Sequence, residues 1–418
     1  MKTLFVRAEI AACLISSGKE KPLRGLSCGQ QFQDSAGKME VKKEIWIIAG
    51  ESSGDLYGAE LALAMKAQLP ELRLRGMGSS AMRQAGVELI VDSSELGVMG
   101  LVEVLKILPT FLRVFNQFVS LAAAERPAAV VLIDYPGFNL RYAKKLEKLG
   151  IPVIWYISPQ VWAWGAGRIP TIKRVVKRLF VIFPFEVDFW KKHDYEVEFH
   201  GHPLVELLSR DAPVTRDPDL FALLPGSRRS EIDRLLEPFV RTCEELKRSH
   251  PRLRFVIPSP RESLATEIRR RLDKLGADPL AFQVEVGTAV EVMRRASTGL
   301  ASSGTVTIQA AIVGLPLVSA YKMNPVTVFI GRLLVKLPFF TMPNIIAGRE
   351  VYPEFLQGDV VPAKLVPAVE ALLPGGSRRT RCEADLADIE ELLGGRQGTL
   401  ARTATGMLKA AGLTTQRE

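Results

Sequence analysis

Long apolar runs alternate with helical patterns along most of the chain. The first ordered pattern is Glu44-Ile-Trp-Ile-Ile-Ala-Gly50, which runs directly into Gly50-Glu-Ser-Ser-Gly-Asp55 and then a helical stripe with Leu56, Leu61, Leu63 and Met65. A buried strand, a glycine loop and a helix make a βα unit, the repeating element of a doubly wound parallel sheet. Leu72–Gly76, Ala129–Asp134, Pro152–Ile157, Arg178–Phe183 and Val197–Pro203 read as further strands of the same sheet. Between them, Val102, Leu105, Leu108, Phe111, Leu112, Phe115 and Phe118 mark an apolar helix face, which Pro109 is expected to kink or split. That face reads mainly as core, with contact between part of it and lipid as the alternative.

The pattern stops over Arg210–Asp219, a polar, proline-rich linker. It restarts at Phe221-Ala-Leu-Leu-Pro-Gly-Ser-Arg-Arg-Ser-Glu231, where an apolar strand ends in a glycine turn with two arginines and a helix follows. Leu253–Pro258, Phe282–Glu285, Thr298–Ser302 and Leu315–Tyr321 continue a second set of strands. From about residue 362 the chain is helical, broken at Pro374–Arg379. The expected fold is therefore α/β, with two doubly wound Rossmann-like domains facing a cleft. The expected divisions are a disordered extension over 1–42, an N-terminal domain over 43–208, a second domain over 209–361, and closing helices over 362–418. Met39 is a candidate for the true start.

Composition narrows the function. The chain has 418 residues, 47% hydrophobic and 24% charged, with a net charge of +9. Two domains with substantial cores are the default at that length. The basic balance points to an anionic partner. Aromatics make up only 7% and no zinc-finger spacing is present, which favours a phosphate or lipid headgroup over nucleic acid. Cys13, Cys28, Cys243 and Cys382 are scattered, so neither a disulfide framework nor a metal site is expected, and a reducing compartment fits. No apolar run reaches the ~18 residues of a membrane span.

The candidate chemistry lies at strand ends. Asp134 closes a buried strand at the edge where open α/β sheets bind ligands. The Gly50–Asp55 loop reads either as part of a ligand site or as a tight turn with a helix-capping Asp55. Gly226, Ser227 and Arg228 follow one strand, and Ser302, Ser303, Gly304 and Thr305 another; glycine and hydroxyl residues at a helix start make an anion cradle. Trp162 and Trp164 sit in a strand-end loop, followed by a basic helix with Arg168, Lys173, Arg174, Lys177 and Arg178, either a solvated face or a surface for anionic lipid or phosphate. Asp217-Pro-Asp219 has the spacing of a metal motif but falls in the linker, so no metal is expected.

Six motifs in order carry a family resemblance. Gly50-Glu-Ser-Ser-Gly-Asp55, Val98–Val104, Tyr156-Ile-Ser-Pro-Gln-Val-Trp-Ala-Trp164, Leu224-Pro-Gly-Ser-Arg228, Ser303-Gly-Thr305 and Met342-Pro-Asn-Ile-Ile-Ala-Gly-Arg-Glu350 resemble the lipid A disaccharide synthases over roughly residues 44–375. The resemblance implies a GT-B inverting glycosyltransferase that needs no cofactor or metal. It would join UDP-2,3-diacylglucosamine to 2,3-diacylglucosamine 1-phosphate, giving a lipid A disaccharide 1-phosphate and UDP at the cytoplasmic face of the inner membrane. It implies catalytic roles for Asp134, as base, and Glu51. It implies substrate contacts for Ser53, Met99, Asn139 and Trp162, and for Gly226, Ser227, Arg228, Ser303, Gly304, Thr305 and Gln309. Asn344, Arg349 and Glu350 would line the nucleotide side. Expected partners are the two sugar lipids and the membrane surface, with no nucleic acid; a homodimer is compatible with the sequence.

Two departures qualify the resemblance. Gly137 stands where the family usually has a second carboxylate, and Gln309 where it often has Glu. A UDP-sugar 2-epimerase-like isomerase on the same plan, or a non-catalytic lipid- or nucleotide-binding homologue, are the competing readings.

Overall fold

The computed structural model describes residues 43–96, 101–210, 214–323, 338–394 and 398–413. The 1–42 extension, Met39 and Met99 lie outside these residues. The described chain forms two compact units. The first takes residues 43–182, 186–200 and 398–413, and the second takes 183–185 and 201–394.

The first unit is built on a seven-stranded parallel sheet. Its strands are β1 (Glu44–Ala49), β2 (Arg73–Gly78), β3 (Glu88–Asp92), β4 (Ala129–Ile133), β5 (Val153–Tyr156), β6 (Arg178–Val181) and β7 (Glu198–Phe199), in the order β3-β2-β1-β4-β5-β6-β7. The central strands β1 and β4 are buried along their whole length, the expected signature of a sheet covered on both faces. The order reverses between β1 and β4, which makes that point the topological switch. Strand β3 has no clear pattern in the sequence because it is a partly exposed edge strand, and β7 is only two residues long rather than the seven expected.

Helix α1 (Ser52–Gln68) follows β1, α2 (Ser80–Gln84) follows β2, and α3 (Leu101–Glu125) precedes β4. Pro109 does not split α3, which runs unbroken through it. The helix is held from outside: Phe111 and Phe115 pack edge-on to Phe138 at 5.3 and 5.5 Å, and Phe118 edge-on to Tyr142 at 5.9 Å. Packing of this kind offsets the hydrogen bond that a proline removes. The stripe from Phe111 onward is therefore mostly core, with Leu112 left exposed.

The second unit carries a six-stranded parallel sheet, β8 (Asp217–Leu224), β9 (Arg254–Ser259), β10 (Phe282–Val286), β11 (Ala296–Ser302), β12 (Leu317–Tyr321) and β13 (Glu354–Leu356), in the order β10-β9-β8-β11-β12-β13. Its switch point lies between β8 and β11. Strand β8 starts at Asp217, so the linker is shorter than the sequence suggests and Asp217 and Asp219 belong to the strand's first residues.

The expected divisions need two corrections. The second unit begins at Gly201, so the helix Pro203–Ser209 belongs to it rather than to the first. The C-terminal helices do not stay together: Pro362–Glu370 and Arg379–Leu392 pack in the second unit, whereas Thr399–Ala410 returns to the first. That last helix buries Leu400, Met407 and Leu408, and it accepts a hydrogen bond at the Ala401 carbonyl from the Gln68 amide of α1 at 2.9 Å. Gly406 lets it close against Phe180, whose ring would lie 2.8 Å from an added Cβ.

Candidate active site

At the switch point of the first unit, the strand register sets three loops side by side. Ala49 partners Ile133, and Ile133 partners Tyr156, so Gly50–Glu51, Asp134–Tyr135 and the Ile157–Gly165 loop leave the same edge. Three non-glycine residues there have positive φ: Asp134 (43°), Tyr135 (47°) and the β-branched Ile157 (65°). Such conformations cost about 1–3 kcal/mol each and gather where a site over-determines its backbone. Gly50 permits one of them, because a Cβ at this position would meet the Tyr135 ring at 2.3 Å.

Glu51 precedes α1 in an extended conformation and makes no side-chain capping bond, so its carboxylate is not spent on its own helix. Ser53, in the first turn, is exposed. Asp55 is a capping residue, but of a different helix. Its carboxylate accepts from the backbone N–H groups of Ser79 (2.6 Å), Ala81 (3.0 Å) and Met82 (3.2 Å) at the start of α2.

Asp134 is partly buried, and its amide donates to the Tyr156 carbonyl at 3.1 Å. Loss of hydration pushes its carboxyl up to about 7; the negative charge of Glu51 adds to the rise, and the Tyr135 N–H opposes it. Burial, and then the charge of Asp134, raise the Tyr57 phenol of α1, while burial and Glu51 raise Tyr135 to about 12. A carboxylate that titrates near neutrality can both take and release a proton. Asn139 is fully buried in α4 (Pro136–Lys148), and its side-chain amide donates to the carbonyls of Ile133 (3.2 Å) and Asp134 (2.7 Å). Trp162 is partly buried in the loop after β5, and the Arg168 guanidinium lies 4.6 Å over the neighbouring Trp164 ring. The basic helix Ile169–Val175 buries Ile169, Ile172 and Val175, and Arg174 pairs with Glu147 at 3.3 Å.

In the second unit, Leu224 partners Ala301, so the turn after β8 and the turn after β11 are neighbours at one sheet edge. Gly226 has a φ of 123°, and a Cβ there would lie 2.3 Å from Glu231 Oε2. That same oxygen accepts from the N–H groups of Ser227 (3.2 Å) and Arg228 (3.4 Å). The expected cradle in this turn is therefore already occupied by Glu231, at the start of helix α8 (Arg229–Ser249). What remains for an external anion is side chains: the exposed Ser227 hydroxyl, and the Arg228 guanidinium, 43% exposed and 3.6 Å from Glu231 Oε1.

The turn after β11 differs. Helix α11 (Thr305–Ile312) starts at Gly304 without a side-chain cap, with Ser303 partly buried and Thr305 exposed. Its N–H groups and positive dipole end form the better anion site of the two turns. Gln309 is partly buried one turn along this helix.

The three residues expected on the nucleotide side are bound internally. Asn344 is fully buried; its amide donates to Tyr352 O (2.8 Å) and Glu354 Oε1 (2.9 Å), and its oxygen accepts from the N–H groups of Val351 and Tyr352, both at 2.9 Å. Arg349 is held by Asp385 (2.7 Å) and Asp388 (2.9 Å), and Glu350 by Arg378 (2.9 Å). The side chains of Arg349, Glu350, Ser377, Arg378 and Arg381 line an open depression of about 420 Å³. Sequence reasoning missed Glu354, whose carboxylate also accepts from Thr341 N (2.8 Å), Thr341 Oγ1 (2.6 Å) and Phe340 N (3.0 Å). Its only trace in the sequence is an acidic residue amid apolar neighbours.

Asp217 pairs with Arg254, and Asp219 with Arg252 at 3.7 Å, both at the opening end of β8. Among the described residues, no group of three or more His, Cys, Asp or Glu is placed to hold a metal ion, and no helix is long and apolar enough to cross a membrane.

Residues 45–405 match the family model for lipid-A-disaccharide synthetase, so the match spans the strands and site loops of both units. The chain belongs to that family. It is 37% identical to the lipid-A-disaccharide synthase of Myxococcus xanthus (strain DK1622) over 380 residues, covering 87% of this chain and 97% of the relative. Among solved structures it resembles a putative UDP-N-acetylglucosamine 2-epimerase from Listeria monocytogenes (TM-score 0.60, 13% identity, 90% of this chain and 99% of that one). It also resembles the glycotransferase of kitacinnamycin (TM-score 0.59, 17% identity, 89% of this chain and 100% of that one). At those identities the structural likenesses establish the GT-B-type fold alone, so the epimerase likeness does not carry over as an activity.

Membership in the lipid-A-disaccharide synthetase family makes the chain a hexosyltransferase with a UDP-sugar donor and a sugar-phosphate acceptor. It joins UDP-2,3-diacylglucosamine to 2,3-diacylglucosamine 1-phosphate and releases UDP.

Proposed function

We propose that Asp134 is the general base of this transfer. The observation that carries the proposal is its placement: a carboxyl at the switch point of the first sheet, beside Glu51, raised to about 7 by burial. Asp134 removes the proton from the acceptor 6-hydroxyl. The resulting oxygen attacks the anomeric carbon of the donor from the side opposite UDP, forming the new C–O bond. The bond from that carbon to the diphosphate oxygen breaks, and its electron pair leaves with UDP. The anomeric configuration inverts. Glu51 keeps Asp134 basic, Ser53 stands in the first turn of the helix that follows Glu51, and Trp162 lies on the loop that leaves the same edge after β5.

The charge developing on the leaving diphosphate is met by the uncapped N-terminus of α11 with Ser303, Gly304 and Thr305, and by the Arg228 guanidinium. Gly226 shapes that turn around Glu231, which takes the Ser227 N–H, and the exposed Ser227 hydroxyl donates to the diphosphate beside Arg228. Gln309 hydrogen-bonds the ribose hydroxyls without the charge that a Glu would bring. Asn344, Arg349 and Glu350 act on the nucleotide side by fastening the loop that carries them. The acyl chains and the cytoplasmic face of the inner membrane meet the apolar segment around Met99 and α3, where Leu112 is exposed.

The test is UDP release from UDP-2,3-diacylglucosamine with and without the acceptor lipid. Release should require the acceptor and should fall by about 10²–10⁴-fold in an Asp134→Asn protein. Parent-level release by that variant would remove the base assignment, and release without acceptor would point to a different reaction.

A further inference from the structure

We propose that Asn139 is a positioning residue for Asp134: its side-chain amide locks the left-handed Asp134–Tyr135 turn and so aims the carboxylate. This inference rests on the reading of Asp134 as the base. It replaces the substrate contact expected of Asn139 from its motif, because the side chain is fully buried.

Between the last residue of β4 and the first of α4 the chain has only Asp134 and Tyr135 with which to reverse. Both have positive φ, at 43° and 47°, without being glycine. Tyr135 also precedes Pro136, and a residue before proline is biased toward extended backbone. Such a turn persists only where its surroundings over-determine it. Asn139 spans it from inside. The two N–H groups of its amide reach Ile133 O at 3.2 Å and Asp134 O at 2.7 Å, and its own backbone N–H donates to Tyr135 O at 3.1 Å. The strand end, the base residue and the residue after it are thus all tied to one side chain or its backbone.

The orientation of the amide is set by these contacts. Turned over, it would bring Oδ1 against two carbonyl oxygens. As placed, Oδ1 has no partner among the described residues although it is buried. A buried amide with one end unsatisfied is a poor choice for core stability alone. What Asn139 supplies is therefore the pair of N–H bonds to the turn. Gly137, in the first turn of α4, adds no side chain beside the turn, and Asn139 braces the Asp134 carbonyl from the same helix.

The experiment uses the full chain and the variants Asn139→Ala, Asn139→Ser and Asp134→Asn. It measures kcat, KM for both diacyl sugars, the pH profile of kcat/KM, and thermal unfolding. Asn139→Ala is expected to lower kcat by about ten- to a hundredfold, since a small misplacement of a reacting group has that effect. Both KM values should stay within about threefold, and the acidic limb of the profile should move. Asn139→Ser, whose hydroxyl can reach one carbonyl but not two, should fall between Ala and the parent. Parent-like kcat and pH limb in a folded Asn139→Ala protein would overturn the proposal. A raised KM at unchanged kcat would do the same by restoring the substrate-contact role, and so would a loss matched by unfolding with an unmoved limb. If Asn139→Ala does not fold, Asn139→Ser decides: an intermediate kcat with a moved limb supports the proposal, and parent values overturn it. Asp134→Asn separates the two readings. If it is inactive while Asn139→Ala is parent-like, positioning alone fails; if it retains the parent rate, the base assignment itself fails.

Discussion

Gly50 and Tyr135 occupy one space: the Tyr135 ring lies where a side chain at position 50 would project, with Cδ1 2.3 Å from an ideal Cβ. The glycine loop after β1 therefore supports the turn that carries Asp134. Gly50→Ala should force the ring aside, cost about 1–3 kcal/mol as an overpacked site, and lower activity by more than its loss of stability explains. Denaturant unfolding alongside kcat checks this. Parent-like activity would show that the ring position is irrelevant to Asp134.

Glu51 raises the Asp134 carboxyl by charge, as the second cause after burial. Glu51→Gln removes a negative neighbour, which favours the ionised form of Asp134. The acidic limb of the pH–rate profile should therefore move to lower pH, and an unmoved limb would show that the two carboxylates do not interact.

The same shift has a stability consequence of opposite value. The folded-state pKa of Asp134, about 7, lies above its ordinary value of 3.8, so between those values the folded state holds a proton that the unfolded state has lost. Stability contributed by the neutral form is present below pH ~4 and is lost as pH rises through about 7. Asp134→Asn should thus raise stability at pH 8 by about 1–3 kcal/mol, a figure discounted for the partial exposure of the group, and have little effect at pH 4. Thermal unfolding at the two pH values measures it.

Arg228 is the cationic side chain that follows Gly226-Ser227 in a turn whose Ser227 and Arg228 N–H groups are already taken by Glu231. Arg228→Ala should lower kcat by about 10–100-fold through weaker stabilisation of the leaving diphosphate. Glu231→Ala should instead mainly destabilise the start of α8. UDP-release kinetics and unfolding midpoints separate the two, and a purely structural effect of Arg228→Ala would assign the diphosphate to the α11 N-terminus alone.

Asn344 uses both ends of its amide, binding Tyr352 O, Glu354, and the N–H groups of Val351 and Tyr352. Asn344→Ala should cost about 2–4 kcal/mol in unfolding free energy by leaving buried groups unpaired. At the same excess of UDP the gain in stability should be equal for parent and variant, since Asn344 makes no direct ligand contact on this account; a smaller gain in the variant would restore that contact.

The continuous apolar runs of β1, β4, β5 and β8 made the two parallel sheets legible, and strand-end position alone marked Asp134 and the turns at Gly226 and Ser302. The edge strands β3 and β13 were not legible, because a short strand buried on one side lacks a continuous apolar run. Partnership was the hardest feature to read. Asp55 caps a helix whose first bonded N–H lies 24 residues on, and Arg349 is held by an aspartate 36 residues away. In sequence such residues look like ligand contacts, since charge and motif do not reveal whether an internal partner has already claimed them. Glu231 filling the turn it follows is the same case at short range.

The central claim is that Asp134 takes the acceptor proton. The most direct measurement is the pH dependence of kcat/KM for the parent chain and for Asp134→Asn, with UDP release as the readout. The parent should show a one-proton acidic limb near pH 7, and Asp134→Asn should lose both the rate and that limb. A variant that keeps the parent rate with the limb in place would contradict it.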